Sequence, residues 1–347
     1  FPRRKVCGGG LTHRAYQACP FDITPVIHRS IDWGYVAFRG RVISAIYGDG
    51  PIAYLIDRES FDQFLLDQAT AQGAEFVQNQ PVTDLREVNG LVHVHSGRRD
   101  FHSRYVIGAD SIHSLVAKKC GLISKRTTSL AYEARLSLPA GRVNPAVDSI
   151  TFDFGTILFG YGWIFPKRDH LNVGVFRSWP GKRTTKRQLL RFIDQSPSLD
   201  ETQIMDIRAF PIPLGGKRHN LHQGQILLAG DAANLADPWL GEGLYYAFAS
   251  GRMAAEAILD HINGQIQNFS EYTYRVNQQL NHQMGYARRL SCLMHALPLL
   301  NVQTLCASST LQGWVIDLLR GECTYQEIWH GLAQQLPRFT RHILHRK

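Results

Sequence analysis

The chain alternates between stretches where apolar residues recur every second position and stretches where they recur at helical spacing. Between residues 34 and 58 the run GYVAFRGRVISAIYGDGPIAYLIDR has the first pattern, which predicts paired strands with a turn at Gly48-Asp49-Gly50. The period then changes. In ESFDQFLLDQATAQGAEF the apolar residues Phe61, Phe64, Leu65 and Ala69 share one helical face, and Gly73 marks the end of the helix. Short strands return in GLVHVHS and in DFHSRYVIGAD, where Tyr105, Val106 and Ile107 lead into Gly108-Ala109-Asp110. Residues from about Tyr132 to Pro213 are strand-rich, with YGWIFPKRDHLNVGVF as a hairpin and KRQLLRFIDQ as an intervening helix. A last apolar strand, QILLA, runs into GDAANLADPWLGEGL, and the pattern beyond is helical. This order predicts an α/β fold in which an α/β domain (1–30, 58–125 and 216–265) is interrupted by a mostly antiparallel β domain (31–57 and 126–215). A helical region, 266–347, follows.

Composition narrows the class without identifying it. Of 347 residues, 44% are apolar and 19% charged, an ordinary globular balance. The six cysteines form no CxxC pair and no zinc-type set with histidine, so a reducing cytoplasm is the default compartment and no metal is implied. No apolar segment is long enough to span a bilayer and no secretory signal opens the chain, so a soluble monomer is expected. Peripheral membrane contact stays open through the apolar stretches LSCLMHALPLL and GWVIDLL, whose first expectation is packing against the rest of the fold.

The net charge of +9 comes from clusters at Arg3-Arg4-Lys5, Arg98-Arg99, Lys182-Arg183 with Lys186-Arg187, and the tail RFTRHILHRK. These are interspersed with acids and carry no nucleic-acid motif, so nucleic acid is not an expected partner; attraction to an anionic lipid or a phosphorylated substrate fits the charge about as well as a merely soluble surface does, so charge alone decides nothing. His93 and His95 lack a third ligand at metal spacing and read as a solvated hairpin.

The segment GDAANLADPWLGEGL is the most informative. A buried strand, Ile226 to Ala229, ends at Gly230, and the chain turns toward a helix beginning near Gly243, which aims backbone N–H groups and the positive helix end at whatever lies above. An anion or an electron-rich ring carbonyl suits that place. Asp231 could accept hydrogen bonds from sugar-like hydroxyls, Pro238 stiffens the approach, and Gly241 and Gly243 let a flat ligand lie against backbone. A glycine-rich loop that merely caps a helix would explain the glycines alone, but not their combination with strand, acid and proline.

These residues, GDAANLADPWLGEGLYYAFASG, resemble the GD motif of flavoproteins with the p-hydroxybenzoate hydroxylase fold. That resemblance implies an FAD-binding Rossmann-like domain in which Asp231 contacts the ribityl chain and the loop Gly241-Glu242-Gly243-Leu244 covers the pyrimidine end of the flavin. Three stretches agree in order and separation. Asp57-Arg58-Glu59-Ser60-Phe61-Asp62 resembles the start of a helix whose arginine, here Arg58, approaches the cofactor's phosphates. Val106 to Ser114 resembles the GADG-x-x-S motif and offers Asp110. Phe1 to Gly10, FPRRKVCGGG, resembles the FPR-x-K-x-CGGG segment of the geranylgeranyl reductase branch, which puts Cys7, Gly8 and Gly9 close to the flavin. GYGWIFP at 160–166 is similar to that branch's Y-x-W-x-F-P pattern, which lines an isoprenoid pocket; this implies Tyr161, Trp163 and Phe165 as substrate contacts, although Leu158 stands where the pattern has proline.

Two departures stand out. Ser111 replaces the glycine of GADG, where a side chain takes a positive φ less readily. No G-x-G-x-x-G is present, and the family's first βαβ unit would precede residue 1. Either the parent chain carries that unit, which is the expectation, or this is a shortened, non-catalytic remnant.

The resemblance implies an FAD-dependent oxidoreductase reducing isolated C=C bonds of a polyprenyl substrate, with NAD(P)H or ferredoxin as electron donor. Tyr161 (unperturbed pKa ~10) and Cys7 (~8.5) are the candidate proton donors and Trp163 lines the site. The alternative is an FAD-dependent hydroxylase or quinone-linked oxidoreductase of the same fold.

Overall fold

Strands from two distant parts of the chain pair into one sheet, and residues 150–177 of that sheet carry the floor of the site. The structure, a computed structural model, describes residues 1–139, 144–178 and 184–344. The basic residues Lys182 and Arg183 and the last three of the tail lie outside the described residues.

The chain begins with β1 (Gly10–Thr12), α1 (His13–Ala18), β2 (Ile27–Ile31), β3 (Trp33–Phe38), β4 (Arg41–Tyr47), β5 (Ala53–Ile56) and α2 (Arg58–Ala71). Then come β6 (Asp84–Val88), β7 (Leu91–His95), β8 (Asp100–Ser103), β9 (Val106–Gly108) and α3 (Leu115–Lys119). The strand-rich part holds β10 (Thr128–Leu136), α4 (Pro145–Asp148), β11 (Ile150–Phe154), β12 (Gly160–Pro166), β13 (Leu171–Arg177), α5 (Lys186–Asp194) and β14 (Ile204–Pro213). After β15 (His222–Gln223) and β16 (Ile226–Leu228) the fold is helical: α6 (Leu244–Ile262), α7 (Ser270–Val276), α8 (His282–Ala296), α9 (Pro298–Ala307), α10 (Ser309–Arg320) and α11 (Tyr325–Leu344).

The seven-stranded sheet has the order β14-β10-β13-β12-β11-β3-β4. Its pairs are antiparallel except β11 with β3, which run parallel with Gly34 opposite Ile150. The β3–β4 hairpin turns at Arg39 and Gly40, both at positive φ, rather than at Gly48-Asp49-Gly50. That later turn delivers the chain to β5, whose four residues are all buried between β1 and β2 in a separate three-stranded sheet. The alternating run thus serves two sheets, a division that periodicity alone does not mark.

Both faces of β12 and β13 are covered, so all fourteen of their residues are buried. On one face Ile164, Val173 and Val175 pack with Leu189 and Phe192 of α5, whose Thr185/Gln188 capping box fixes its start. On the other face Tyr161, Trp163, Phe165 and Phe176 form a cluster of their own. A parallel pair, β9 and β16, packs against α6 and α7 in the largest core. Among the described residues no single helix is long and apolar enough to cross a membrane; α7 to α9 pass that test only as a pair of segments bent by 105°.

Candidate functional site

The two-residue period of β12 sorts its side chains: Gly162 and Ile164 face α5, whereas Tyr161, Trp163 and Phe165 face a cavity of about 450 Å³. Trp163 lies over Gly174, its cross-strand partner, where any β-carbon would overlap the indole. Its Nε1 donates to Asn172 Oδ1 at 2.8 Å. Phe152 and Phe176 complete the aromatic floor, each with its ring centroid 5.5 to 5.6 Å from that of Tyr161.

The CGGG loop lies directly on this floor. A β-carbon on Gly8 would stand 3.1 Å from Trp163 Nε1, and one on Gly10 would stand 2.9 Å from Phe165, so only bare backbone fits between loop and rings. Gly9 holds φ at +64°, and its carbonyl accepts from Ile56 N and Lys167 Nζ, both at 2.9 Å. Lys167 is fully buried, also donates to Ile56 O, and burial pushes its pKa down to about 8. Cys7 lines the cavity; its N–H donates to Glu133 Oε2 at 2.9 Å, and its Sγ accepts from Gly9 N at 3.4 Å.

The GD segment forms the opposite wall. After β16 a 3₁₀ turn, Gly230–Ala233, is held by Arg126, which donates to the Asp231 and Ala232 carbonyls, and by Ser250 Oγ, which accepts Gly230 N–H. Asp231 lines the cavity with Lys5 Nζ 4.0 Å away, and burial raises its carboxyl pKa. No side chain caps α6 at Gly243, and Gly243, Leu244 and Ala247 line the cavity, so the helix's first N–H groups open onto it.

Most of the residues singled out in the sequence converge here: Cys7, Gly8, Gly9, Arg58, Tyr161, Trp163, Phe165, Gly230, Asp231, Gly241, Glu242, Gly243 and Leu244 all line the one cavity. Two do not, and a third lines the cavity but turns its carboxylate elsewhere. Asp110 is exposed and caps the next helix, accepting from Ser114 Oγ and Val116 N, because the chain reverses at Ser111; Ala109 and Ser111 line the cavity in its place. Pro238 is buried outside the lining. Glu242 spends its carboxylate on Arg14 and Thr12 rather than on the cavity. Ser111 takes the glycine-like φ of +68° despite its side chain, and its buried Oγ has no partner within the protein.

Sequence reading missed the groups that hold the loops. Asp237 is fully buried and accepts from Tyr246, Tyr325, Arg14 and the N–H groups of Trp239 and Leu240. Leu240 O in turn accepts from the Tyr161 hydroxyl, whose pKa is raised by burial. Glu133, Asn172 and Lys167 are the polar residues around the CGGG loop, and the only advance signal was an acid on the same face of a strand pattern as Ser129 and Ala131. His93 packs on His102 and His95 pairs with Asp100; among the described residues no group of three potential ligands could hold a metal ion.

No protein-family model matches the chain. Over 266 residues it is 31% identical to an uncharacterized protein of Methanosarcina barkeri, covering 77% of this chain and 68% of that one. It is 29% identical to the chloroplastic geranylgeranyl diphosphate reductase of Oryza sativa, matching 59% of this chain and 47% of that protein. With digeranylgeranylglycerophospholipid reductase 1 of Methanopyrus kandleri the identity is 26%, over 80% and 77% of the two chains. A geranylgeranyl bacteriochlorophyll reductase-like protein of Thermoplasma acidophilum superposes with a TM-score of 0.76 at 22% identity, covering 90% of this chain and 86% of that one. The flavin-dependent brominase Bmp2 gives 0.75 at 19%, over 97% and 91%. At those identities the structures establish the shared fold alone. The fold and these sequence relatives agree with the CGGG, GD and Y-x-W-x-F-P segments now seen side by side, and the chain belongs to the geranylgeranyl reductase family of FAD-dependent oxidoreductases.

Proposed function

We propose that this chain saturates isolated C=C bonds of a polyprenyl chain, with FAD held between the CGGG and GEG loops. The observation that carries the reading is the contact of the CGGG loop with the Tyr161-Trp163-Phe165 face inside one largely apolar cavity. The residues present suit a flavin: bare backbone at Gly8 and Gly241, the Asp231 carboxylate, the amino-terminal N–H groups of α6, and the partnerless Ser111 hydroxyl all border the cavity. Arg58, joined to Asp62 at 2.7 Å, stands where a phosphate would be met.

When bound, FAD supplies the hydride for one alkene carbon. The chain's own residues do the rest. Trp163, Phe165, Phe152 and Phe176 hold an apolar chain and exclude water, which matters because an unactivated alkene offers no oxyanion to stabilise. Tyr161 is a poor proton donor: burial and the neighbouring acids Asp237 and Glu242 keep its phenol protonated, and its hydroxyl hydrogen is already given to Leu240 O. It positions the GEG loop against the floor instead. The relatives' names suggest a geranylgeranyl chain carried on a diphosphate or a glycerophospholipid.

The test is anaerobic incubation of the FAD-loaded protein with geranylgeranyl diphosphate, using dithionite, NAD(P)H or reduced ferredoxin as donor. Mass spectrometry should show the gain of two hydrogens per bond. An unaltered prenyl chain, together with NAD(P)H-driven oxygen consumption on an aromatic substrate, would assign the protein to the hydroxylases of this fold.

A further inference from the structure

Saturation adds a proton as well as a hydride, and the proton needs a donor inside the cavity. Three carboxyl groups line it. Glu242 is bound to Arg14 and Thr12, and Asp231 faces Lys5 on the wall away from the aromatic floor. Glu133 belongs to the sheet itself. It lies on the same face of β10 as Ala131, which also lines the cavity, and it is 3% exposed.

Its surroundings leave it short of a counter-ion. Oε2 accepts from Cys7 N at 2.9 Å and from Asn172 Nδ2 at 3.3 Å. Oε1 is 4.0 Å from Arg4, but both terminal nitrogens of that guanidinium are engaged by Asp206. Arg135 acts only from a distance, and Lys167 directs its hydrogens at the Gly9 and Ile56 carbonyls. Burial therefore outweighs attraction, and the carboxyl pKa is raised. With Oε2 fixed by two N–H donors, Oε1 is left to carry a proton. Asn172 links the same carboxyl to Trp163 Nε1, so acid, loop and floor form one hydrogen-bonded chain.

We infer that Glu133 protonates the second alkene carbon during saturation, with Asn172 as its positioning residue. This rests on the reductase reading. The Glu133 O–H bond breaks as a C–H bond forms at one carbon; the hydride from the reduced cofactor completes the other carbon; the carboxylate left behind takes a proton from solvent before the next turnover.

Glu133→Gln keeps an acceptor for Cys7 N–H and removes the acid. Its saturation rate should fall on the order of 100-fold, with FAD affinity unchanged. The wild-type rate should also decline as pH rises through the Glu133 pKa, and the variant should lack that limb. Independently of turnover, a pH titration of the cofactor-free protein followed by infrared spectroscopy should show a protonated-carboxyl band that persists above the ordinary carboxyl range and that Glu133→Gln abolishes. If Glu133→Gln does not fold, Glu133→Asp, which retracts the acid by one methylene, should slow saturation while keeping the pH limb. Wild-type turnover with an indifferent Glu133→Gln, or the absence of the infrared band, overturns the inference and leaves the reductase reading standing. A wild-type protein that saturates no prenyl chain refutes the reductase reading itself.

Discussion

Gly9→Ala separates two costs that meet at one residue. A side chain at φ +64° costs about 1–2 kcal/mol relative to glycine. The new β-carbon would also overlap the Ile56 carbonyl oxygen and stand 2.7 Å from Lys167 Nζ, so the loop has to move. Movement weakens the hydrogen bonds that Gly9 O accepts from Ile56 N and Lys167, worth about 1 kcal/mol for the neutral donor and about 1.5–3 for the charged one if fully lost. Partial loss of both puts the total at roughly 3–4 kcal/mol. Gly264→Ala is the matched control, since Gly264 holds φ at +71° with no atom within 4 Å of an added β-carbon. It should lose only the conformational cost of the left-handed backbone, about 1–2 kcal/mol. Urea unfolding with unchanged m-values would give both figures, and an FAD titration should show weakened binding for Gly9→Ala alone. Equal destabilisation by the two variants would refute the close-approach argument.

Two further outcomes follow from buried groups. Tyr325→Phe removes a hydroxyl donor to the buried Asp237 and should cost about 1.5–3 kcal/mol in thermal unfolding, with looser flavin binding because Asp237 also holds the Trp239 and Leu240 N–H groups; an unmoved melting temperature would contradict it. Lys167 has a folded pKa of about 8 against an ordinary 10.5, so across that window the unfolded chain holds a proton that the folded one has released. Stability should rise with pH between those values, by up to about 3 kcal/mol relative to Lys167→Met; parallel pH curves for the two proteins would sink the prediction.

The legible parts of the site were those written as contiguous segments. CGGG, the GD loop and Y-x-W-x-F-P each have a local backbone reason, and all three reach the cavity. Asp110 was legible as a motif but not as a direction, because the reversal at Ser111 decides where its carboxylate points. Glu133, Asn172 and Lys167 sit on β10, on β13 and just after β12, and only strand register brings them under residues 7 to 9. Tyr325 illustrates the limit most clearly, since nothing within α11 announces a buried carboxylate on a loop far earlier in the chain. The alternating run 34–58 does hold strands, but its hairpin turns at Arg39 and Gly40 and its division between two sheets depends on β5 filling the gap between β1 and β2.

The parallel pairing of β3 with β11 also constrains how the molecule assembles. Until residues 150–154 leave the ribosome, the β3 edge of the β3–β4 hairpin, carrying Val36 and Phe38, has no native neighbour to cover it. The seven-stranded sheet is therefore completed through a long-range closure rather than a local one, which slows folding and exposes an aggregation-prone edge during synthesis. Substitutions at Gly34, whose missing β-carbon leaves room for Ile150, should lower the yield of folded protein in cells more than they lower its final stability.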